Sequence, residues 1–250
     1  MPDALVAAFA TPGLAALIIA MAIAGLVRGF TGFGTALIFV PVAGIYLPPA
    51  DVIFILTITG VLSNVVLLPR ALRDGEVREV GLLSAGALVM IPLGIWLMTT
   101  LEADIIRWIV SVAGAFTLIC LISGWRYQGE VASRRLPFVG AGAGLLGGMT
   151  GLTGPVVILF YLAGTRAVSV VRANTILFLA SLDIMIAAIL LLSDLAAPEL
   201  ILVGILIAGP YLVTSAIGQR MFDPSREAVY RLGAYLIIAG AVLRGLPIWG

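Results

Sequence analysis

Long apolar stretches alternate with short polar breaks along the whole chain. Six stretches, near 51–69, 79–99, 104–123, 173–193, 199–219 and 228–247, predict single membrane-spanning helices of ~20 residues each. The breaks between them collect most of the charges and hold no room for a soluble domain. Pro48-Pro49, Pro198 and Pro224 fall at the predicted ends, where proline starts or stops a helix.

Two apolar segments do not fit one helix each. Residues 5–47 are too long. Residues 136–163 carry no charge and would reach roughly 42 Å as a straight helix. They contain seven glycines and Pro155, which disfavour an unbroken helix. The pieces 136–148 and 155–163 are each too short to cross alone.

Arginine placement sets the sidedness. Arg70, Arg73 and Arg78 put the 70–78 loop in the cytoplasm, and Arg126, Arg134 and Arg135 do the same for 124–135. The 99–104 loop has Glu102 and Asp104 without arginine and lies outside, as does the loop with Asp194 and Glu199. Arg220 and Arg226 place their loop inside. Counting back, the 164–172 connection with Arg166 and Arg172 is also inside. Segment 136–163 then enters and leaves on the cytoplasmic side, as a hairpin of two short helices. The same reading makes 5–47 a hairpin that enters and leaves outside. Three spans follow each hairpin, an odd number, so the second half is inverted relative to the first. That is a common plan of secondary transporters. A competing topology takes 5–28 as a full span.

The expected fold is therefore an all-α polytopic membrane protein of two inverted repeats. Each repeat is a glycine-broken hairpin plus three transmembrane helices, about eight membrane segments by hydropathy. The repeats are 1–124 and 136–250, joined by a cytoplasmic linker at 125–135. Composition agrees: 62% of the 250 residues are hydrophobic, 11% are charged, and mean hydropathy is +1.19. A soluble domain carries roughly 25% charged residues. All fourteen basic residues are arginine, histidine is absent, and Cys120 is the single cysteine. Met1-Pro2-Asp3-Ala4 lacks the basic start of a cleaved signal peptide.

The most distinctive stretch is Gly29-Phe30-Thr31-Gly32-Phe33-Gly34-Thr35. It returns 119 positions later as Gly148-Met149-Thr150-Gly151-Leu152-Thr153-Gly154. Weaker echoes are Pro92 against Pro210 and Arg107 against Arg231. With its flanks, Gly25 to Leu37 and Val40-Pro41 in the first half and Gly147 to Pro155 with Tyr161-Leu162 in the second, the chain resembles the TauE/SafE-like permeases, the sulfite exporter family. The resemblance extends over nearly the whole chain. It implies movement of small anions, such as sulfite, sulfonates and related organic acids, mostly outward. Many members have more glycine in the first motif, where this chain has Thr35.

Physical chemistry points to the breaks independently. A broken helix leaves backbone groups unpaired, which a bilayer tolerates only around a cavity. Amides at a helix start favour an anion. The candidate binding residues are Arg28, Thr31, Gly32, Gly34, Thr35, Thr150, Gly151, Thr153 and Gly154. The bland alternative for the glycines is close helix packing, which suits Gly25, Gly140 and Gly144. Arg28 is costly at membrane depth and grips oxyanions well. Snorkelling, or a pair with Asp183, is its structural alternative. Asp183 and its repeat counterpart Asn64 are candidates for coupling or polar lining. A structural hydrogen bond is the competing reading for both.

Without histidine there is no Ser-His dyad and no H-E-x-x-H metal site, and no P-loop is present. The chain is expected not to be an enzyme and to use no cofactor or metal. The expected function is secondary transport of a small anion across the cell (inner) membrane by alternating access. The alternatives are a membrane subunit of a multi-component transporter and a non-transporting assembly factor. Its partners are a small anion and the lipid bilayer, with no nucleic acid. Proton coupling and a homodimer are left open.

Overall fold

A computed structural model describes residues 2–31, 33–123, 133–161, 168–195, 197, 199–221 and 227–248. The described residues form eleven α-helices and one 3-10 turn, with no strand among them. The order is α1 (Pro2–Phe9), α2 (Leu14–Thr31), α3 (Thr35–Ala43), α4 (Pro49–Asp74), α5 (Val77–Thr100), α6 (Ala103–Ile122), α7 (Leu136–Thr150), α8 (Gly154–Tyr161), α9 (Val168–Leu192), α10 (Leu200–Met221) and α11 (Glu227–Gly245). Every predicted single span is a helix. In segment 136–161 two helices, α7 and α8, meet at the glycine-threonine motif; in 5–47 α2 and α3 do the same, preceded by a short helix, α1, that the apolar pattern did not separate. Most of the expected linker, 125–132, lies outside the described residues, and Ser133–Arg135 forms the 3-10 turn.

Four described helical segments are long and apolar enough to cross a bilayer: Val77–Thr100, Ala103–Ile122, Ala173–Leu192 and Leu200–Met221. Leu14–Gly29, Pro49–Asn64 and Leu136–Thr150 are shorter apolar helices. Large side chains cover the outside. On α6, Ile105, Trp108, Val112, Phe116 and Ile119 recur at helical spacing and are all exposed. Water would penalise such a stripe, whereas hydrocarbon does not. The chain is a multi-pass membrane protein.

The helices interleave the two halves of the sequence. α5 packs most extensively on α7, and α10 on α2. α4 lies against α9, α11 against both α3 and α6, and α8 against α6. The two most extensive contacts are built on missing side chains. A Cβ at Gly140 or Gly144 on α7 would overlap the carbonyl oxygen of Leu83 or Ala87 on α5. At Gly29 on α2 it would overlap that of Ser215 on α10, and at Gly218 that of Leu26. Small residues let backbones touch, and van der Waals packing then replaces the hydrophobic drive that lipid does not supply. For these glycines the structure supports the packing reading.

Candidate functional site

The two broken helices have matching local chemistry. In the first, the Thr31 hydroxyl lies 2.8 Å from the Val27 carbonyl oxygen and 2.9 Å from that of Phe33, and it accepts the Phe33 N–H at 3.3 Å. In the second, the Thr150 hydroxyl donates to the Leu146 carbonyl at 2.7 Å and accepts the Leu152 N–H at 3.2 Å. Each threonine thus closes the last turn of its helix and holds the amide two residues beyond it. Positive φ follows at Gly34 (102°) and Gly151 (76°), a region that costs other residues strain. The chain then re-enters helix at Thr35 and at Gly154.

The two re-entry points line one cavity of about 60 Å³. Gly34, Thr35, Ala36 and Leu37 come from the first break, and Thr153, Gly154 and Pro155 from the second. Arg28, Thr59, Gly60, Asp183 and Tyr211 add polar or open wall, and Phe33, Leu56, Ile158 and Leu179 add apolar wall. A water needs at least ~10–15 Å³ on this measure, so the space has room for a small ligand. No side chain caps the start of α3, so its first-turn amides are available to an anion.

Charge and hydroxyls are arranged around this space. Arg28 is half-buried and has no hydrogen bond or ion pair among the described residues. Asp183 lines the same cavity without an ion pair to Arg28 among the described residues. Instead the Asp183 carboxylate accepts the Asn64 amide N–H at 3.1 Å. A Cβ at Gly60 would run into that carboxylate, so Gly60 is what admits Asp183 to the wall. The Thr35 and Tyr211 hydroxyls share a 3.1 Å hydrogen bond, and the Thr59 hydroxyl donates to the Gly204 carbonyl at 3.2 Å.

Of the residues expected from sequence, Arg28, Gly34, Thr35, Thr153, Gly154 and Asp183 line the cavity. Thr31, Gly151 and Asn64 do not line it: Thr31 holds its break, Gly151 lies behind Leu56, and Asn64 bonds Asp183. Thr150 holds the other break and faces a second cavity. Gly32 lies outside the described residues. Sequence reading missed Thr59, Gly60 and Tyr211. Their signal was available: polar or glycine positions inside the apolar runs of α4 and α10, with Tyr211 directly after Pro210.

A model of the family described as sulfite exporter TauE/SafE matches residues 17–244. No curated protein and no solved structure matches the chain.

Proposed function

This chain belongs to the sulfite exporter TauE/SafE family, a family of membrane transporters, and on that premise we propose that it is a secondary transporter exporting a small oxyanion or organic acid anion across the cytoplasmic membrane. The observation that carries this reading is the meeting of two broken helices, far apart in sequence, around one cavity with Arg28 in its wall. Unpaired helix-start amides and a guanidinium together bind an oxyanion. Sulfite or an organosulfonate is the substrate class. The direct test is flux into proteoliposomes of sulfite, sulfonates and carboxylates, with and without a pH gradient. Absence of flux for every anion, with the protein folded, overturns the proposal.

The mechanism is alternating access by two inverted repeats, 1–124 and 136–250, joined through 125–135. The helix packing supports it. Exchanging the halves maps α2 on α10 onto α7 on α5, and α3 on α11 onto α8 on α6. Asn64 and Asp183, 119 positions apart like the two motifs, touch each other, as repeat-equivalent residues do near a two-fold axis. A labelling experiment tests the inversion. Single cysteines in place of Ser133 and Asp194 are expected to react from opposite sides, with Ser133 cytoplasmic. Same-side labelling means 136–161 crosses the membrane and ends the hairpin reading.

Asp183 is the proposed carrier of a coupling proton, being the carboxylate in the cavity wall beside Arg28. Asp183→Asn keeps a partner for Asn64 and removes the titrating group. Flux driven by a pH gradient is expected to fall to the level without one. An unchanged response to the gradient assigns Asp183 a structural role only.

A further inference from the structure

A second cavity, about 30 Å³, lies behind the second break. Its walls run from Gly44, Pro49 and Ala103, at the loop ends that the arginine pattern puts outside, inward to Thr150. Gly151 stands between the two cavities. Its Cβ position is 3.3 Å from Leu56, which lines the central one, and 3.4 Å and 3.5 Å from Ile53 and Val40, which line the outer one. Gly151 of the second break is thus packed between side chains that line the two cavities.

The outer cavity has a cation in its wall, Arg107. That side chain is 17% exposed and donates to Asp104 at 3.3 Å and to the Leu246 carbonyl at 3.5 Å. Its Nε is nevertheless buried without a hydrogen-bond partner. One turn further along the same helix, beyond the residues that line the cavity, Ser111 is 2% exposed and its hydroxyl is also unpartnered. Two buried donors left open on adjacent turns are costly unless something accepts from them.

The other half shows what closing such a gap takes. Arg231 and Tyr235 occupy the same helical positions in α11 that Arg107 and Ser111 occupy in α6, the fifth and ninth. There Nε and Nη2 of Arg231 donate to the Tyr235 hydroxyl at 3.3 Å and 3.1 Å, and that hydroxyl reaches the Leu121 carbonyl at 3.5 Å. The short serine at 111 cannot do this for Arg107.

We propose that Arg107, in the wall of the outer cavity with Ser111 one helical turn behind it, forms a second, outer oxyanion site, a way station on the outward path that the second break separates from the central cavity. It rests on the transport reading above. The cation supplies donors of the kind an oxyanion accepts from. Asp104, 70% exposed on its side chain, competes for Arg107 and swings aside into water when the anion arrives.

The test is calorimetric titration of the full chain in lipid nanodiscs with sulfite, and separately with methanesulfonate. Two sites per chain are expected for at least one probe. Arg107→Gln is expected to weaken one of them about tenfold or more, the loss of a charge-assisted hydrogen bond, and Arg28→Gln to weaken the other. Asp104→Asn, at an exposed position, is expected to tighten the outer site severalfold, and it carries the test if Arg107→Gln does not fold. A single site, weakened by Arg28→Gln and indifferent to Arg107→Gln or to Asp104→Asn, overturns the outer site and leaves the transport reading standing. No binding of either probe, with no flux of any anion, overturns both.

Discussion

Replacing Arg28 by alanine is expected to reduce anion flux by about 10- to 100-fold, because a hydrogen bond to a charged group contributes about 1.5–3 kcal/mol and each 1.4 kcal/mol is a factor of ten. Folding is expected to survive. Arg28 has no hydrogen bond or ion pair among the described residues, so truncation leaves no bonded partner orphaned. It also removes a charge that costs ~2.5–3.5 kcal/mol at the middle of a membrane helix on insertion scales. The measurement is proteoliposome flux normalised to monodisperse protein by size-exclusion chromatography. Normal flux reduces Arg28 to a packing residue. Loss of both flux and folded protein makes it structural.

A still larger effect, on assembly instead of transport, is expected from Gly140→Val. The added Cβ would overlap the Leu83 carbonyl oxygen, a backbone atom that cannot rotate away. Neighbouring glycines repeat the contact: Gly86 faces the Pro137 carbonyl and Gly144 the Ala87 carbonyl. The whole of α7 must therefore move off α5 to admit one side chain. Overpacking a core whose side chains can adjust costs about 1–3 kcal/mol, and a backbone contact offers less relief. Native stability is only about 5–15 kcal/mol, so most of the protein is expected to be lost as aggregate. Gly142→Val is the control. It lies on the same helix, makes the same change in helix propensity, and meets nothing within 4 Å. The comparison is the thermal unfolding midpoint of each variant in detergent. Equal midpoints for the two variants would refute the packing account.

The contrast between Gly140 and Gly142 shows where sequence reading stopped. Both glycines sit in the same apolar run, and the G-x-x-x-G spacing pointed to packing at Gly140 without showing what it packs against. Only the approach of α5 separates a position that admits a side chain from one that does not. The threonines behave similarly. Thr31, Thr35, Thr150 and Thr153 looked equivalent as hydroxyl donors. Their backbone context divides them: Thr31 and Thr150 end helices and hold the breaks, while Thr35 and Thr153 lie past the breaks, on the cavity wall. Thr59 and Tyr211 escaped notice because a lone polar residue in an apolar helix has no partner visible in its neighbourhood. The partners of Thr59 and Tyr211, Gly204 and Thr35, lie 145 and 176 positions away.

By itself, the sequence determined the helices from α2 to α11, their approximate ends and the two breaks. Those depend on local quantities: the length of an apolar run, a glycine where φ turns positive, and a proline at a helix start. The family was also legible in it, through the doubled motif and its flanks. The tertiary structure decided which faces meet. It joined Gly34 and Thr35 to Thr153 and Gly154 around one cavity, set Asp183 against Asn64 with Arg28 in the same wall, and left Arg107 with an open donor at the cavity behind the second break. Such pairings follow from the crossing of helices remote in sequence, and periodicity along one chain carries no information about which remote face it will touch.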